Sequence, residues 1–513
     1  MTTGATLGRG LEAADGSAAG GAKVLLVLPF DNRSGQPSLE WVREAAADVL
    51  SSRFASAGFQ PTSRASRIYA LDHLGLPQGF QPSRASSIKL AQTLDADSII
   101  VGSFTTDGSG IVAQARLVDV PRLRMTPEVS ARGEMRDLIA VFSSLAWQLT
   151  RQIDPSFSLS EDSFTAAGKG VRVDAFEQYI RGITEADQAE RLRHLQQAVK
   201  LNPGYGAAWM ALGREEYNGE KYPEAADAFA KVDRNGADGL EAGFYRGLAL
   251  MFSGEYPLAE QAFAGVARTL PLAEVVNNQA VAISRQGHDG TSLFIQAAAS
   301  DPNAADYHFN LAVSLKRHGN TAGALNELAQ CMKLRPSDNE ALALEEAWKK
   351  SSPDLALDPL ERIVRSFDAA AFKQAAAMLD QIDTNKLAAL PAQERGKILC
   401  VQANSALSRG LLLEAERLFQ DAITADAKNA QAHAGLAQVR ERGGNEAAAR
   451  SEAHAALELA PTANAYLLLA RLDLAAGLLD AARSDTAEAL KLEPANPAAL
   501  ELQRQIVANL GQK

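Results

Sequence analysis

The pattern of apolar and polar positions divides the chain in two. Beyond residue 174, small and large apolar residues recur at helical spacing in paired runs. A glycine-bearing turn separates each pair and a proline closes it. Four segments end alike: Ala-Val-Lys-Leu-Asn-Pro203, Cys-Met-Lys-Leu-Arg-Pro336, Ala-Leu-Glu-Leu-Ala-Pro461 and Ala-Leu-Lys-Leu-Glu-Pro494. Pro271 and Pro302 take the same place. Spacings are 31 from Pro271 to Pro302, 34 from Pro302 to Pro336 and 33 from Pro461 to Pro494. The gap of 68 from Pro203 to Pro271 holds two units, with Ala237 at its midpoint. A fixed period of this size marks stacked two-helix units, each burying its apolar face against the next. The proline follows the second helix because it cannot continue it.

The interior of the unit repeats as well. One copy carries Trp209, Leu212, Gly213, Tyr222, Ala225 and Phe229. The next carries Gly247, Leu250, Tyr256, Ala259 and Phe263. Later copies carry Leu311, Ala312, Leu315, Ala324, Leu328 and Cys331, then Leu399, Ala403, Ala406, Ala415, Phe419 and Ala422. Small residues sit where the helices cross. These residues resemble the tetratricopeptide repeat family. About eight units fit between Asp174 and Pro494, and 500–510 reads as a capping helix for the last unpaired face. The register blurs over 351–390, where Ser351-Ser352-Pro353 breaks a helix and one degenerate pair spans 360–367 and 372–379. That stretch is either a hinge between arrays 174–350 and 391–510 or a degenerate repeat.

Residues 23–155 lack the period. The run 23–30 predicts a buried strand, 39–57 a helix and 59–63 a second strand. Helix follows at 84–94, then strands at 97–106 and 111–120 joined by Asp107-Gly-Ser-Gly110, an edge strand at 129–133, and a helix over 134–153. This order predicts an α/β mixed-sheet domain ahead of an all-α solenoid. Residues 156–173 read as a linker, and 1–22, rich in Gly, Ala, Thr and Ser, as a disordered leader. The opening Val-Leu-Pro-Phe-Asp-Asn-Arg-Ser-Gly35 is similar to the start of the TolB-like amino-terminal domain. The segments 90–104 and 111–119 are similar to two further motifs of that domain. The resemblance implies a binding and assembly module without known chemistry, often exported and often followed by tetratricopeptide repeats. Arg43-Glu-Ala-Ala-Ala-Asp48 departs from its usual acidic Asp-Gly pair, and 72–82 is an insertion.

Composition narrows the function. Apolar residues are 46% and charged residues 22%, ordinary for a folded protein. The net charge of −11 argues against nucleic acid, which needs a basic face. No run is long enough to span a bilayer. No export signal is read in the chain as written, so the expectation on the sequence as given is the cytoplasm; a trimmed or missed signal would instead imply the periplasm or cell envelope, as the resemblance implies. Phosphate-loop, zinc-protease, nucleophile-elbow and Cys-x-x-Cys patterns are absent. No cofactor, metal or catalytic group is expected. The histidines at 73, 194, 288, 308, 318, 433 and 454 read as isolated, solvated or capping, and Cys331 and Cys400 as core.

The first helix of each unit lines the inner face of such an array. Counting from the prolines turns inward Met210, Arg214, Tyr217 and Asn218, then Phe244, Met251 and Phe252. Asn278, Arg285 and Gln286 follow, then Phe309, Val313, Lys316 and Arg317. An apolar patch beside a basic and amide patch suits an extended peptide or helix with some acidic side chains. The chaperone-tail version of the family uses a dicarboxylate clamp; Asn310 fits one of its positions, but Asn278 stands where a lysine is required. The expected function is a non-enzymatic scaffold with a protein partner in the groove and a second component on the N-terminal domain. The alternative is a nucleotide or phosphate site at Arg33, Ser34 and Gly35, in a loop between strand and helix, with the repeats used for oligomerisation.

Overall fold

The apolar run at the head of the first unit forms β1 (Val24–Val27), with Leu25, Leu26 and Val27 all buried, as a strand covered on both faces requires. The computed structural model describes residues 23–77, 83–108, 110–155, 157, 159–166, 170–234, 238–350, 359–365, 387, 390–408, 412–443 and 445–510. The expected leader lies outside them. The chain divides into one unit through Gly168 and another from Lys169.

In the first unit, β2 (Asp31–Asn32), α1 (Val42–Ser56), β3 (Gln60–Pro61), α2 (Arg64–His73) and α3 (Arg84–Thr93) follow β1. Then come β4 (Ser98–Asp107), β5 (Gly110–Asp119), β6 (Arg124–Met125), β7 (Val129–Glu134), α4 (Leu138–Ile153) and α5 (Glu161–Ala166). The sheet runs β3-β1-β4-β5-β6, with β2 beside β4 and β7 beside β5. β1 is parallel to β3 and β4, while β5 is antiparallel to its partners, so the sheet is mixed. Leu26, Ile99 and Val118 pack with Leu71 of α2 and Leu90 of α3. Phe30 meets Phe142 of α4 edge to face at 5.7 Å.

Beyond the two-residue strands β2 and β6, two helices differ from the sequence expectation. The helix α2 fills a stretch between the expected strand 59–63 and the insertion at 72–82 for which no element was expected. It starts on Ser63-Arg64-Ala65-Ser66, the tetrapeptide that recurs as Ser83-Arg84-Ala85-Ser86 at the start of α3. In both, the first serine hydroxyl accepts the N–H of the last, at 2.9 and 3.2 Å, an N-cap. The second difference is α5, inside the expected linker. Trp147 Nε1 donates to Leu159 O at 3.0 Å and Phe164 is fully buried against Phe157.

The second unit is a run of helices. Its first array comprises α6 (Val173–Thr184), α7 (Gln188–Leu201), α8 (Gly206–Asn218), α9 (Tyr222–Ala230), α10 (Gly239–Phe252), α11 (Tyr256–Ala267), α12 (Ala273–Arg285), α13 (Thr291–Ser300), α14 (Ala305–Arg317), α15 (Thr321–Leu334) and α16 (Asn339–Lys350). Its second comprises α17 (Ala392–Ser408), α18 (Leu412–Ala425), α19 (Ala430–Gly443), α20 (Glu446–Leu459), α21 (Ala463–Ala475), α22 (Leu479–Leu492) and α23 (Pro497–Leu510). Consecutive helices pack on each other throughout each array. The crossings need small residues: a Cβ on Gly247 of α10 would lie 2.6 Å from the Phe263 ring of α11. Cys331 and Cys400 are buried, and burial pushes both thiols up to about 11.

Two histidine expectations are corrected. His308 Nδ1 lies 2.7 Å from Glu327 Oε2 and its Nε2 lies 3.1 Å from Pro302 O; His433 Nδ1 lies 2.7 Å from Glu452 Oε2. Each joins the two helices of one hairpin from a mostly buried site, neither solvated nor capping. The degenerate helix pair is also corrected in part. Residues 359–365 form neither helix nor strand; 351–358 and 366–386, including 372–379, lie outside the described residues.

Candidate functional site

Away from its ends, an inner helix has nothing left on its backbone to offer, because its N–H and C=O groups are spent on its own ladder. A trough lined by helices must therefore read a partner through side chains. In the first array, α12 and α14 present Asn277, Asn278 and Asn310, all fully buried. A primary amide carries one donor group and one acceptor, the same pair a peptide unit carries.

Residues 359–365 lie against these amides. Arg362 N–H donates to Asn310 Oδ1 at 2.6 Å, and Asn310 Nδ2 donates back to Arg362 O at 2.8 Å. Val364 N–H donates to Asn278 Oδ1 at 2.9 Å, and Asn278 Nδ2 donates to Val364 O at 2.8 Å. Asn277 Nδ2 reaches Arg362 O at 3.2 Å, while its Oδ1 accepts from Asn310 Nδ2 at 2.8 Å. Residues two apart are thus read on one edge, as in a strand. Asn310 and Asn278 each stand in for a neighbouring strand. The segment continues a peptide-like run: Arg317 Nη2 donates to Pro359 O at 2.8 Å and Arg285 Nη2 to Glu361 O at 3.1 Å.

The side chains of the segment are read too. The Glu361 carboxylate has no exposed surface. It accepts from Ser284 Oγ and Arg317 Nη1, and Arg285 Nε lies 3.4 Å from its other oxygen. A buried carboxylate persists only with such partners. One residue on, Arg362 turns the opposite way. Its guanidinium donates to both oxygens of Asp338 at 2.6 and 2.9 Å, to Asp306 at 2.9 Å and to Glu340 at 2.9 Å. Its Cζ lies 3.6 Å from the centre of the Phe309 ring. Burial works against the Arg362 charge, yet Asp338, Glu340 and Asp306 raise it above its ordinary value. The Arg362 hydrogen bonds hold the Asp338 carboxyl at about 2, against the opposing effect of burial. Ile363 and Val364 pack on the apolar core of α10 to α14, and Arg365 Cζ lies 4.7 Å over the Phe252 ring.

The sequence-derived groove residues fall into three groups. Asn278, Arg285, Phe309, Arg317 and Phe252 meet at the segment. Tyr217 lies beside them, against Phe252, with its hydroxyl pushed up to about 12 chiefly by burial. Met210, Phe244, Met251 and Val313 are core residues in this structure, buried among apolar side chains. Three more have partners elsewhere. Arg214 pairs with Glu241, Gln286 Nε2 donates to Glu260 at 2.8 Å, and Lys316 Nζ donates to Thr321 at 3.0 Å. Asn218 is exposed at the end of α8. Counting missed Asn277, Ser284, Asp306, Asp338 and Glu340 altogether.

The loop that follows β1 is organised from within. Ser34 N–H and Oγ–H both donate to Asn32 Oδ1, at 3.1 and 2.6 Å, and Gln36 N–H donates to Ser34 Oγ at 3.1 Å. Gly35 takes a positive φ of 70°. Arg33, mostly exposed, lies 4.0 Å from Asp31. Of the anion site expected at Arg33, Ser34 and Gly35, the Ser34 donors are thus engaged within the loop and Arg33 N–H donates to Phe104 O at 2.8 Å. Among the described residues, no cluster of His, Cys, Asp and Glu could hold a metal ion, and no helix is long and apolar enough to cross a membrane.

Residues 192–239 and 400–464 match the family model described as "Tetratricopeptide repeat". No curated protein sequence matches the chain. Similar solved structures include YrrB, titled a TPR protein with an unusual peptide-binding site, at 18% identity over 40% of this chain and 99% of that one, with a TM-score of 0.30. MamA from Desulfovibrio magneticus RS-1 is 18% identical over 36% and 99%, with a TM-score of 0.29. The LpoB C-terminal domain from Salmonella enterica is 23% identical over 24% and 87%, with a TM-score of 0.21.

Proposed function

We propose that this chain, which carries tetratricopeptide repeats, is a non-enzymatic protein-interaction scaffold whose first helical array holds an extended segment of a partner protein. One observation carries the reading: buried asparagine amides on successive inner helices hydrogen-bond the backbone of a non-helical segment at alternate residues. Hydrogen bonds to backbone supply affinity for any extended peptide, and the flanking pockets supply selectivity. The amides stand on packed helices, so the trough is pre-formed and the partner bears most of the ordering cost. The N-terminal unit docks a second component in this reading, by the resemblance of 23–155 to TolB-like domains, with envelope assembly or transport as the setting that resemblance implies.

The test is affinity capture from the native cell with the full chain and with Asn278→Ala/Asn310→Ala, followed by mass spectrometry. Proteins recovered by the first and lost from the second, with helix content unchanged by circular dichroism, support the trough as the binding surface. An identical set from both contradicts it.

A further inference from the structure

The segment 359–365 lies outside the helical hairpins, yet it makes the contacts of a bound peptide. Its backbone is read by side-chain amides, and its two central charges enter two opposite pockets. Glu361 enters one lined by Arg285, Arg317 and Ser284. Arg362 enters one lined by Asp306, Asp338 and Glu340 over the Phe309 ring. Exchanging the two charges would put like charges together in both pockets, which is how an interface rejects a wrong sequence. The two residues that follow are aliphatic and pack on the apolar core.

Building on the proposed scaffold role, we infer that the trough over α12 and α14 selects an extended peptide in which an acidic residue is followed directly by arginine and then two aliphatic residues, and that 359–365 is the chain's own competitor for that site. The external occupant is an unstructured segment of another protein with this pattern. Only eight residues, 351–358, separate the competitor from the end of α16. Tethers of this length give effective concentrations in the millimolar range. The external peptide therefore meets a site that is free only a fraction of the time, and its apparent affinity falls by that fraction.

The experiment titrates fluorescein-labelled Pro-Leu-Glu-Arg-Ile-Val-Arg against three full-length proteins: the wild type, Glu361→Ala/Arg362→Ala, and the latter with Asn278→Ala/Asn310→Ala added. The expected result is binding at least tenfold tighter to the released variant than to the wild type, with that gain lost when the asparagines are removed. A peptide with the Glu-Arg order reversed should bind the released variant at least tenfold more weakly. Equal binding by wild type and released variant overturns the competitor. Equal binding of both peptides overturns the selectivity while leaving the trough as a general peptide site. If the released variant loses helix content, the wild type serves instead. A saturating excess of the peptide should then raise hydrogen exchange in 359–365 at least tenfold, and unchanged exchange overturns the inference. A wild type of doubled mass by light scattering, reverting to monomer in the released variant, would assign the segment to a second copy and likewise overturn it.

Discussion

The two helical arrays are both built of helical hairpins, and they differ in what stands at one register position, nine residues before a turn glycine. In the first array that turn residue has a positive φ in three successive hairpins, at Gly254, Gly287 and Gly319. Nine residues earlier stand Tyr245, Asn278 and Asn310. In the second array the same count from Gly444 and Gly477 gives Gly435 and Leu468. Leu468 is fully buried in apolar core, and a Cβ on Gly435 would lie 2.1 Å from the Phe419 ring. The position is thus a backbone-reading site where an amide occupies it and a packing site where a neighbour fills it. Repeat geometry supplies the surface, and one side chain per unit decides its use.

The largest test of that contrast is Arg317→Ala. It leaves the Glu361 carboxylate buried with fewer partners, which costs about 3–5 kcal/mol for a broken buried pair. The expected outcome is loss of hydrogen-exchange protection over 359–365 with the second array unaffected. Next is Gly435→Ala, which forces the Phe419 ring to move. Overpacking of this kind costs about 1–3 kcal/mol, read in urea unfolding of the full chain. An unchanged midpoint would mean that the position has room for a reading group after all.

Acid gives an effect of about 2 kcal/mol, taking 1.36 kcal/mol per unit of pKa shift. The Asp338 carboxyl sits at about 2 in the folded chain, against 3.8 ordinarily. A depressed carboxyl contributes its full stabilisation above about pH 4 and loses it as pH falls through about 2. Protection of 359–365 should weaken in that window. Asn310→Ala, which leaves Arg362 N–H and C=O with fewer partners, should add to this loss.

The repeats were legible because proline anchors and small-residue crossings are local signals. So were the main strands and the long helix of the first unit. The duplicated Ser-Arg-Ala-Ser caps could have revealed α2, but its short helix adjoins a stretch that lacks periodicity. On the inner face, counting brought Asn278, Arg285, Phe309 and Arg317 to the segment but also selected Met210, Phe244, Met251 and Val313. Residues that line a trough and residues that seal neighbouring helices lie on adjacent helix faces, so periodicity alone does not part them. Two successive units with asparagine at one apolar register were the signal for Asn278 and Asn310. The segment itself was misread because Leu360, Ile363, Val364 and Phe367 are spaced three and four apart, as in a helix. What holds 362 and 364 otherwise are partners 52 and 86 residues away in sequence, beyond any local pattern.

Hydrogen exchange at the backbone amides of Arg362 and Val364, measured in the wild type and in Asn278→Ala/Asn310→Ala, tests the central claim most directly. The account expects both amides to be protected in the wild type and to exchange at least tenfold faster in the variant, while the amides within α12 and α14 keep their protection. Equal exchange in the two proteins would contradict it.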